Sequence, residues 1–140
     1  RLAVFSDILS FLECVASRKY VAIDFYDGSI MYDFVNGKTT ICDIDLFRKQ
    51  PCVNDMGHMW GSSRFQSPEE HQLGADIDEI TNVYTLGATA FALFGEYNRT
   101  REKWQLSDKL FEIATRAVSD DRTKRQQSIR QFTAEWEAAQ

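Results

Sequence analysis

The stretch that decides the fold is residues 22–45, which read AIDFYDGSIMYDFVNGKTTICDID. It contains two strand-like runs separated by Asn36-Gly37, a strong signal for a two-residue hairpin turn. The runs are Ile30–Val35 and Thr39–Cys42. Asp24 precedes the hairpin and Asp43 follows its second strand, so a tight turn brings both carboxylates toward one cleft.

Two carboxylates at one cleft suit phosphoryl transfer. One can orient the attacking hydroxyl while the other holds Mg²⁺ on the phosphates, and Mg²⁺ prefers oxygen ligands of this kind. Paired aspartates beside a turn also serve as turn formers and caps. The spacing of Asp24 and Asp43 by itself leaves both interpretations open.

Helical patterns surround the hairpin. Apolar residues three and four positions apart predict a helix over residues 2–17. Residues 78–94 are apolar on nearly every face and predict a buried helix. Ser107-Asp108 is expected to cap a helix that runs to about Val118, and a last helix starts near Gln127. The chain of 140 residues is therefore predicted to form one mostly helical domain.

Composition and charge exclude several classes of function. The net charge of −5 argues against a nucleic-acid surface, and no apolar run reaches the length of about 18 residues typical of a membrane span. The three cysteines are unevenly spaced, which is typical of free thiols in a reducing compartment, so a cytoplasmic location is expected. His58 and His71 show no zinc-ligand spacing and are expected on surface loops.

Five segments, in order along the chain, resemble signatures of the protein-kinase C-terminal lobe. They are the catalytic loop and following strand at 22–31, the metal-binding Asp-Phe-Gly segment at 41–45, the end of the activation segment at 61–69, the start of the central helix at 82–87, and the Asp-Pro-x-x-Arg segment at 121–125. The resemblance implies that residues 1–140 are the C-terminal lobe of a Ser/Thr-kinase-like phosphotransferase. The implied fold is mainly α within an α+β family, with one small hairpin and about five helices. It also implies that the N-terminal lobe is missing, so the isolated lobe is expected to be inactive.

The resemblance assigns roles to the residues around the hairpin. Asp24 would orient the substrate hydroxyl and accept its proton, and Asp43 would bind Mg²⁺ on the phosphates of ATP. Ser29 stands where the family has a metal-binding Asn. Ile30 and Met31 are expected to contact the adenine of the nucleotide.

Other roles fall on the activation segment and its support. Ser62 matches a Thr that contacts the catalytic Asp and marks Ser/Thr specificity, and Phe65 lies in the same substrate-binding segment. Glu69 is expected to form a buried ion pair with Arg125. The implied partners are a protein substrate and the missing N-terminal lobe, and an exposed apolar upper face predicts self-association of the fragment.

Several positions depart from the kinase pattern. The family His-Arg before the catalytic Asp is Ala22-Ile23, so activity is expected to be independent of activation-loop phosphorylation. Tyr26 replaces a Lys whose positive charge acts on the transferred phosphate. Asp45 replaces a Gly, and Asn82 replaces an Asp that accepts backbone hydrogen bonds.

Two other functions remain open beside the protein kinase. The losses at these positions favour a pseudokinase that acts as a binding or scaffolding module. Asp27-Gly28-Ser29 is similar to the Pro-Gly-Asn of aminoglycoside and choline phosphotransferases, which favours a small-molecule substrate. Ser67-Pro68-Glu69 argues against that last group, whereas the retention of Asp24 and Asp43 favours an enzyme.

Overall fold

A computed structural model describes all residues from Arg1 to Gln140. Four α-helices and six short strands alternate with four single-turn 3₁₀ helices. The α-helices are α1 Leu2–Ser17, α2 Glu79–Phe94, α3 Asp108–Ala117 and α4 Ile129–Ala139. The strands are β1 Tyr20–Val21, β2 Ile30–Asp33, β3 Lys38–Ile41, β4 Arg48–Lys49, β5 Cys52–Val53 and β6 Asp76–Ile77. The 3₁₀ helices are Asp27–Ser29, Pro68–His71, Arg101–Lys103 and Arg122–Lys124. None of the helices is long and apolar enough to cross a membrane.

Helix α2 is the central element, and it packs against α1, α3 and α4. Its first turn is capped by Asp78, whose carboxylate accepts the N–H of Ile80 at 2.9 Å. Gly87 allows the closest approach to α3, because a Cβ at this position would lie 2.7 Å from the Cβ of Ala117. The nearly continuous burial of α2 follows from this position between three helices.

Aromatic rings fill the space between the helices. Phe5 of α1 lies 4.7 Å from Trp136 of α4, measured between ring centroids. Phe94 of α2 and Trp104 of the α2–α3 connection complete the cluster, with centroids 6.0 Å apart. Burial of such large rings is the main source of stability in a core of this kind. The aromatic cluster therefore joins α1, α2 and α4 in one core.

The strands form three separate antiparallel pairs: β1 with β4, β2 with β3, and β5 with β6. The β2–β3 pair is the predicted hairpin, but its strands are shorter than expected. The pairing of Asp33 with Lys38 leaves a four-residue loop, not a two-residue turn at Asn36-Gly37. The carboxylate of Asp33 accepts the N–H groups of Val35 and Asn36 at 2.8 and 3.1 Å, which closes this wider loop.

The mainly α architecture with a small hairpin agrees with the sequence prediction. The structure has four α-helices against the expected five or so, because the segments between α2 and α3 and before α4 contain only 3₁₀ turns. Residues 45–67 show no regular apolar pattern in the sequence, yet they contain β4 and β5. Each of these strands is two residues long and pairs with a distant segment, so neither produces an alternating pattern in the sequence.

Candidate active site

The loop between β1 and β2 carries Asp24. This residue has a φ of 59°, in the left-handed region that non-glycine residues rarely adopt. Its neighbours Ile23 and Phe25 are buried, so the backbone on both sides is fixed in the core. Asp24 itself is half-buried. Strain of this kind is concentrated at functional sites, where the surrounding structure holds one side chain in a required position.

The backbone of this loop is fastened to α2. The N–H of Ala22 donates to Oδ1 of the buried Asn82 at 2.9 Å, and the amide of Asn82 donates to the carbonyl of Tyr20 at 3.5 Å. The amide at position 82 therefore accepts a backbone hydrogen bond, as the Asp of the kinase pattern would. A neutral amide makes this bond weaker than a carboxylate would, whereas the bond to Tyr20 is one that only the amide can donate.

Asp43 lies after β3 and is exposed. Its φ is 56°, so both aspartates that flank the hairpin have left-handed backbones. The pKa of Asp24 is raised, first by burial and then by the negative charge of Asp43. The hairpin therefore brings the two carboxylates close enough to repel each other, which a bound cation would relieve.

The donor set around these carboxylates suits Mg²⁺ held together with a phosphate ligand. The structure has no group of three or more His, Cys, Asp or Glu side chains that could enclose a metal. Mg²⁺ usually needs no such cage, because one or two carboxylates, waters and substrate phosphates complete its octahedron. Asp24 and Asp43 supply the carboxylates of such a site.

Ser29 is fully buried beside the two aspartates. Its hydroxyl donates to the carbonyl of Asp24 at 3.5 Å, and its own carbonyl accepts the N–H of Cys42 at 2.9 Å. Ser29 thus connects the Asp24 loop to the end of β3. Its predicted role as a metal ligand would require the hydroxyl to turn out of this buried position.

The two residues predicted to contact adenine lie on opposite faces of β2, because successive side chains of a strand alternate. Ile30 is half-buried and lines a cavity of about 410 Å³ with Val4 and Leu93. Met31 is 62% exposed. The structure therefore does not bring Ile30 and Met31 to one surface, and only one of them can face a given nucleotide.

The ring of Tyr26 lies close to Gly28 of the Asp24 loop. A Cβ on Gly28 would come within 2.3 Å of its ring, so the glycine makes room for this side chain. The ring of Tyr26 lies 6.5 Å from that of Phe65, which in turn lies 6.5 Å from the ring of Tyr97. The hydroxyl of Tyr97 donates to the carboxylate of Asp27. This aromatic row links the Asp24 loop to the segment between β5 and β6, and no sequence pattern signals it because Tyr97 is 70 residues from Asp27.

Ser62 and Phe65 lie in the segment between β5 and β6. Phe65 is buried, and its N–H donates to the carbonyl of Ser62 at 2.9 Å. The hydroxyl of Ser62 makes no hydrogen bond to Asp24, in contrast to the contact that the resemblance implied. Phe65 thus contacts the Asp24 loop through Tyr26, whereas no hydrogen bond joins Ser62 to that loop.

Glu69 and Arg125 form a buried ion pair at the base of this segment. Nη1 and Nη2 of Arg125 donate to the two carboxylate oxygens of Glu69 at 2.7 and 3.0 Å. Thr81 donates to the same carboxylate at 3.1 Å, and the guanidinium lies over the ring of Tyr84. Burial raises the pKa of Glu69, but hydrogen bonds from Arg125 and its charge outweigh this and leave the pKa below its ordinary value.

Glu70 stands beside this pair without a cationic partner of its own. Its carboxylate accepts the N–H and the hydroxyl of Ser67 at 2.7 and 2.8 Å, which forms a capping box for Pro68–His71. Burial raises the pKa of Glu70 to about 7. The signal for this pair is present in the sequence, because Ser67-Pro68-Glu69-Glu70 is the Ser-x-x-Glu pattern typical of a capping box, although no role was predicted for Glu70.

Comparison with known proteins gives a match at the level of structure. No protein-family model and no curated protein matches the sequence. Among solved structures, the kinase PK-1 of Cydia pomonella granulovirus superposes with a TM-score of 0.76 at 14% sequence identity. The match covers 94% of this chain and 55% of the viral kinase, so this chain spans about half the length of that protein. Nearly the whole of this chain therefore shares the fold of the viral kinase. The predicted mainly helical, C-terminal-lobe-like architecture is confirmed, and the chain has a protein-kinase-like fold.

Proposed function

We propose that this chain is the C-terminal lobe of an ATP-dependent protein Ser/Thr kinase. Joined to an N-terminal lobe, it would transfer the γ-phosphoryl group of ATP to a protein hydroxyl. The observation that carries the proposal is the pairing of Asp24 with Asp43, which flank one hairpin in left-handed conformations and repel each other. Strained backbone and a raised carboxyl pKa at one cleft are typical of functional sites, which supports catalysis over a role in forming the turn.

In this proposal the chain's residues have distinct tasks. Asp24 orients the substrate hydroxyl and accepts its proton, and its raised pKa makes it a stronger base than an ordinary aspartate. Asp43 holds the metal, and bound Mg²⁺ would supply charge neutralisation at the phosphates. The Asn82 bond to Ala22 keeps the Asp24 loop in place. Phe65 fixes the activation segment against the catalytic loop through its contact with Tyr26.

The same proposal includes regulation and partners. Ile23 is buried where the family carries an Arg that binds a phosphorylated activation loop, which supports activity without that phosphorylation. The N-terminal lobe would supply the remaining nucleotide contacts, so the isolated chain is expected to transfer no phosphate. The exposed Met31, Phe34 and Val35 support contact with that lobe or self-association in its absence. The three free cysteines support a cytoplasmic location.

One observation favours the pseudokinase alternative. Tyr26 occupies the position of the phosphate-binding Lys, and its ring is held between Gly28 and Phe65. A phenol supplies no positive charge to the transferred group. If the N-terminal lobe and the metal do not replace that charge, the site binds nucleotide without transfer.

The test is Mg²⁺-dependent transfer of radiolabelled phosphate by the chain joined to its N-terminal lobe. Asp43→Asn should abolish metal-dependent ATP binding, and Asp24→Asn should retain ATP binding but lose about 10²–10⁴-fold in transfer rate. Asp45→Asn is the matched control, because it removes an exposed aspartate two residues beyond Asp43 and should retain both activities.

Three results would contradict the proposal. Absence of nucleotide binding by the unmodified protein would leave a pseudokinase module. Nucleotide binding without transfer to any acceptor would do the same. Phosphorylation of an aminoglycoside or choline, with none of a protein acceptor, would identify a small-molecule phosphotransferase.

A further inference from the structure

The two histidines of the chain meet at the surface. His58 lies in the loop after β5, and His71 ends the 3₁₀ helix Pro68–His71. Their Nδ1 atoms are 2.8 Å apart, and their ring centroids are 4.6 Å apart with the planes tilted by 49°. Both residues are exposed. The fold has thus brought together two imidazoles that are 13 residues apart in sequence.

The backbone on both sides of this pair is held by hydrogen bonds. The N–H of Met59 donates to the carbonyl of Glu70 at 2.9 Å. The side-chain amide of the fully buried Asn54 donates to the carbonyls of Gly57 and Glu69 at 2.8 and 3.1 Å. Both neighbours of His58 are therefore bound, directly or through Asn54, to the residues that precede His71. Little ordering of the chain is needed for the two rings to act together.

The two Nδ1 atoms are close enough to bind one metal ion after a small movement. Two neutral imidazoles can face each other through Nδ1 only if one carries its proton there and donates it to the other. A metal ion between them takes a lone pair from each ring instead. Zinc–nitrogen bonds of 2.0–2.1 Å at a tetrahedral angle place the two nitrogens about 3.3 Å apart. The rings therefore need to separate by only about 0.5 Å, a movement that small rotations of two exposed side chains allow.

We propose that Nδ1 of His58 and Nδ1 of His71 form a binding site for a divalent transition metal of the zinc and copper class. Imidazole nitrogen suits these metals, whereas Mg²⁺ prefers oxygen. The Nδ1–H of the donating ring moves to Nε2 of the same ring on metal binding, so neutral rings release no net proton. No cluster of three or more ligating side chains is present, so water or an external anion completes the coordination.

This site is independent of the proposed phosphotransfer, because neither histidine belongs to the Asp24–Asp43 cleft. A metal bound to the two histidines would nevertheless constrain the segment between β5 and β6, to which the proposed kinase assigns substrate binding. A metal on both histidines closes residues 58–71 into a loop, and that loop contains Ser62 and Phe65. Metal binding is therefore expected to raise the thermal stability of the protein, since the bound state exists only when both segments are folded.

Zinc titration of the 140-residue chain, without an affinity tag, tests the proposal by calorimetry. We expect one Zn²⁺ per chain. His58→Asn and His71→Asn should each lower the zinc affinity by at least about tenfold, because loss of a residue that merely hydrogen-bonds a metal ligand already has an effect of this size. Cys14→Ser is the matched control, because it removes the exposed thiol and should leave binding unchanged. Far-UV circular dichroism should show that all three variants fold like the unmodified chain.

Nitrogen-15 spectra of the unmodified chain provide a second test that needs no variant. Zn²⁺ should shift the Nδ1 resonances of both histidines and leave protons on both Nε2 atoms. The proposal is wrong if the chain binds no zinc at submillimolar concentration, if the histidine variants bind as well as the unmodified chain, or if Cys14→Ser removes the binding. Shifts at Nε2 with Nδ1 still protonated would also overturn it.

Discussion

Replacement of Glu70 by Gln should remove most of the pH dependence of stability between about pH 4.5 and 7. Glu70 is buried, and one of its oxygens accepts both the N–H and the hydroxyl of Ser67. The side-chain carbonyl of Gln can accept the same two bonds without a charge. The substitution thus removes an ionisable group and retains the capping box of Pro68–His71.

The magnitude follows from the pKa of the buried carboxyl. Burial raises the pKa of Glu70 from an ordinary 4.5 to about 7, and each unit corresponds to about 1.4 kcal/mol. The protonated form therefore favours the folded state by about 3 kcal/mol. Because the folded pKa is raised, this stability is fully present below pH 4.5 and is lost as the pH rises through 7. The groups whose pKa is lowered, Glu69 among them, titrate below this window.

The assay is urea unfolding at half-unit steps from pH 4.5 to 7.5. The unmodified chain should lose about 3 kcal/mol across this range, whereas Glu70→Gln should lose little. Glu112→Gln is the matched control, because it removes the same charge from an exposed position on α3. Equal slopes in the unmodified chain and in Glu70→Gln would refute the reasoning, because the pH dependence would then arise from other groups.

Three further predictions concern the ion pair, the helix packing and the two aspartates. Arg125→Met should destabilise the chain by about 3–5 kcal/mol, because the buried Glu69 then keeps only its longer ion pair with Arg122, at 3.7 Å, and adding Glu69→Gln should restore part of the loss in urea unfolding. Gly87→Ala should cost about 1–3 kcal/mol in the same assay, because the new methyl group lies 2.7 Å from a methyl group of α3. Asp43→Asn should lower the pKa of Asp24, since it removes a neighbouring negative charge, and carboxyl ¹³C titration measures the change.

The helices could be predicted from the sequence because their signals are local. The stripe over residues 2–17 coincides with α1, and the helix predicted over residues 78–94 is α2, of which Asp78 is the N-cap and not the first helical residue. The last helix starts at Ile129 and not at Gln127. Ser128 is the reason, because its hydroxyl accepts the N–H of Gln131 at 3.0 Å and so acts as the cap.

The remaining features depend on contacts between distant residues. The turn was predicted from Asn36-Gly37, but the carboxylate of Asp33 binds two loop N–H groups and selects a wider loop. The bond from Tyr97 to Asp27 joins residues 70 positions apart, and no pattern in either segment signals it. The same holds for β1–β4 and β5–β6, which are too short to show a period of two.

The departures from the kinase pattern have unequal consequences, and the structure separates them. Asn82 needs only one oxygen to accept the N–H of Ala22, so the amide preserves the geometry of the Asp24 loop and weakens one bond. Tyr26 is different, because its ring is accommodated by Gly28 and Phe65 but brings no charge. A change that preserves position costs little in catalysis, whereas a lost charge at the reacting group must be replaced. In the proposed kinase, activity therefore depends more on the source of positive charge near Tyr26 than on the substitution at position 82.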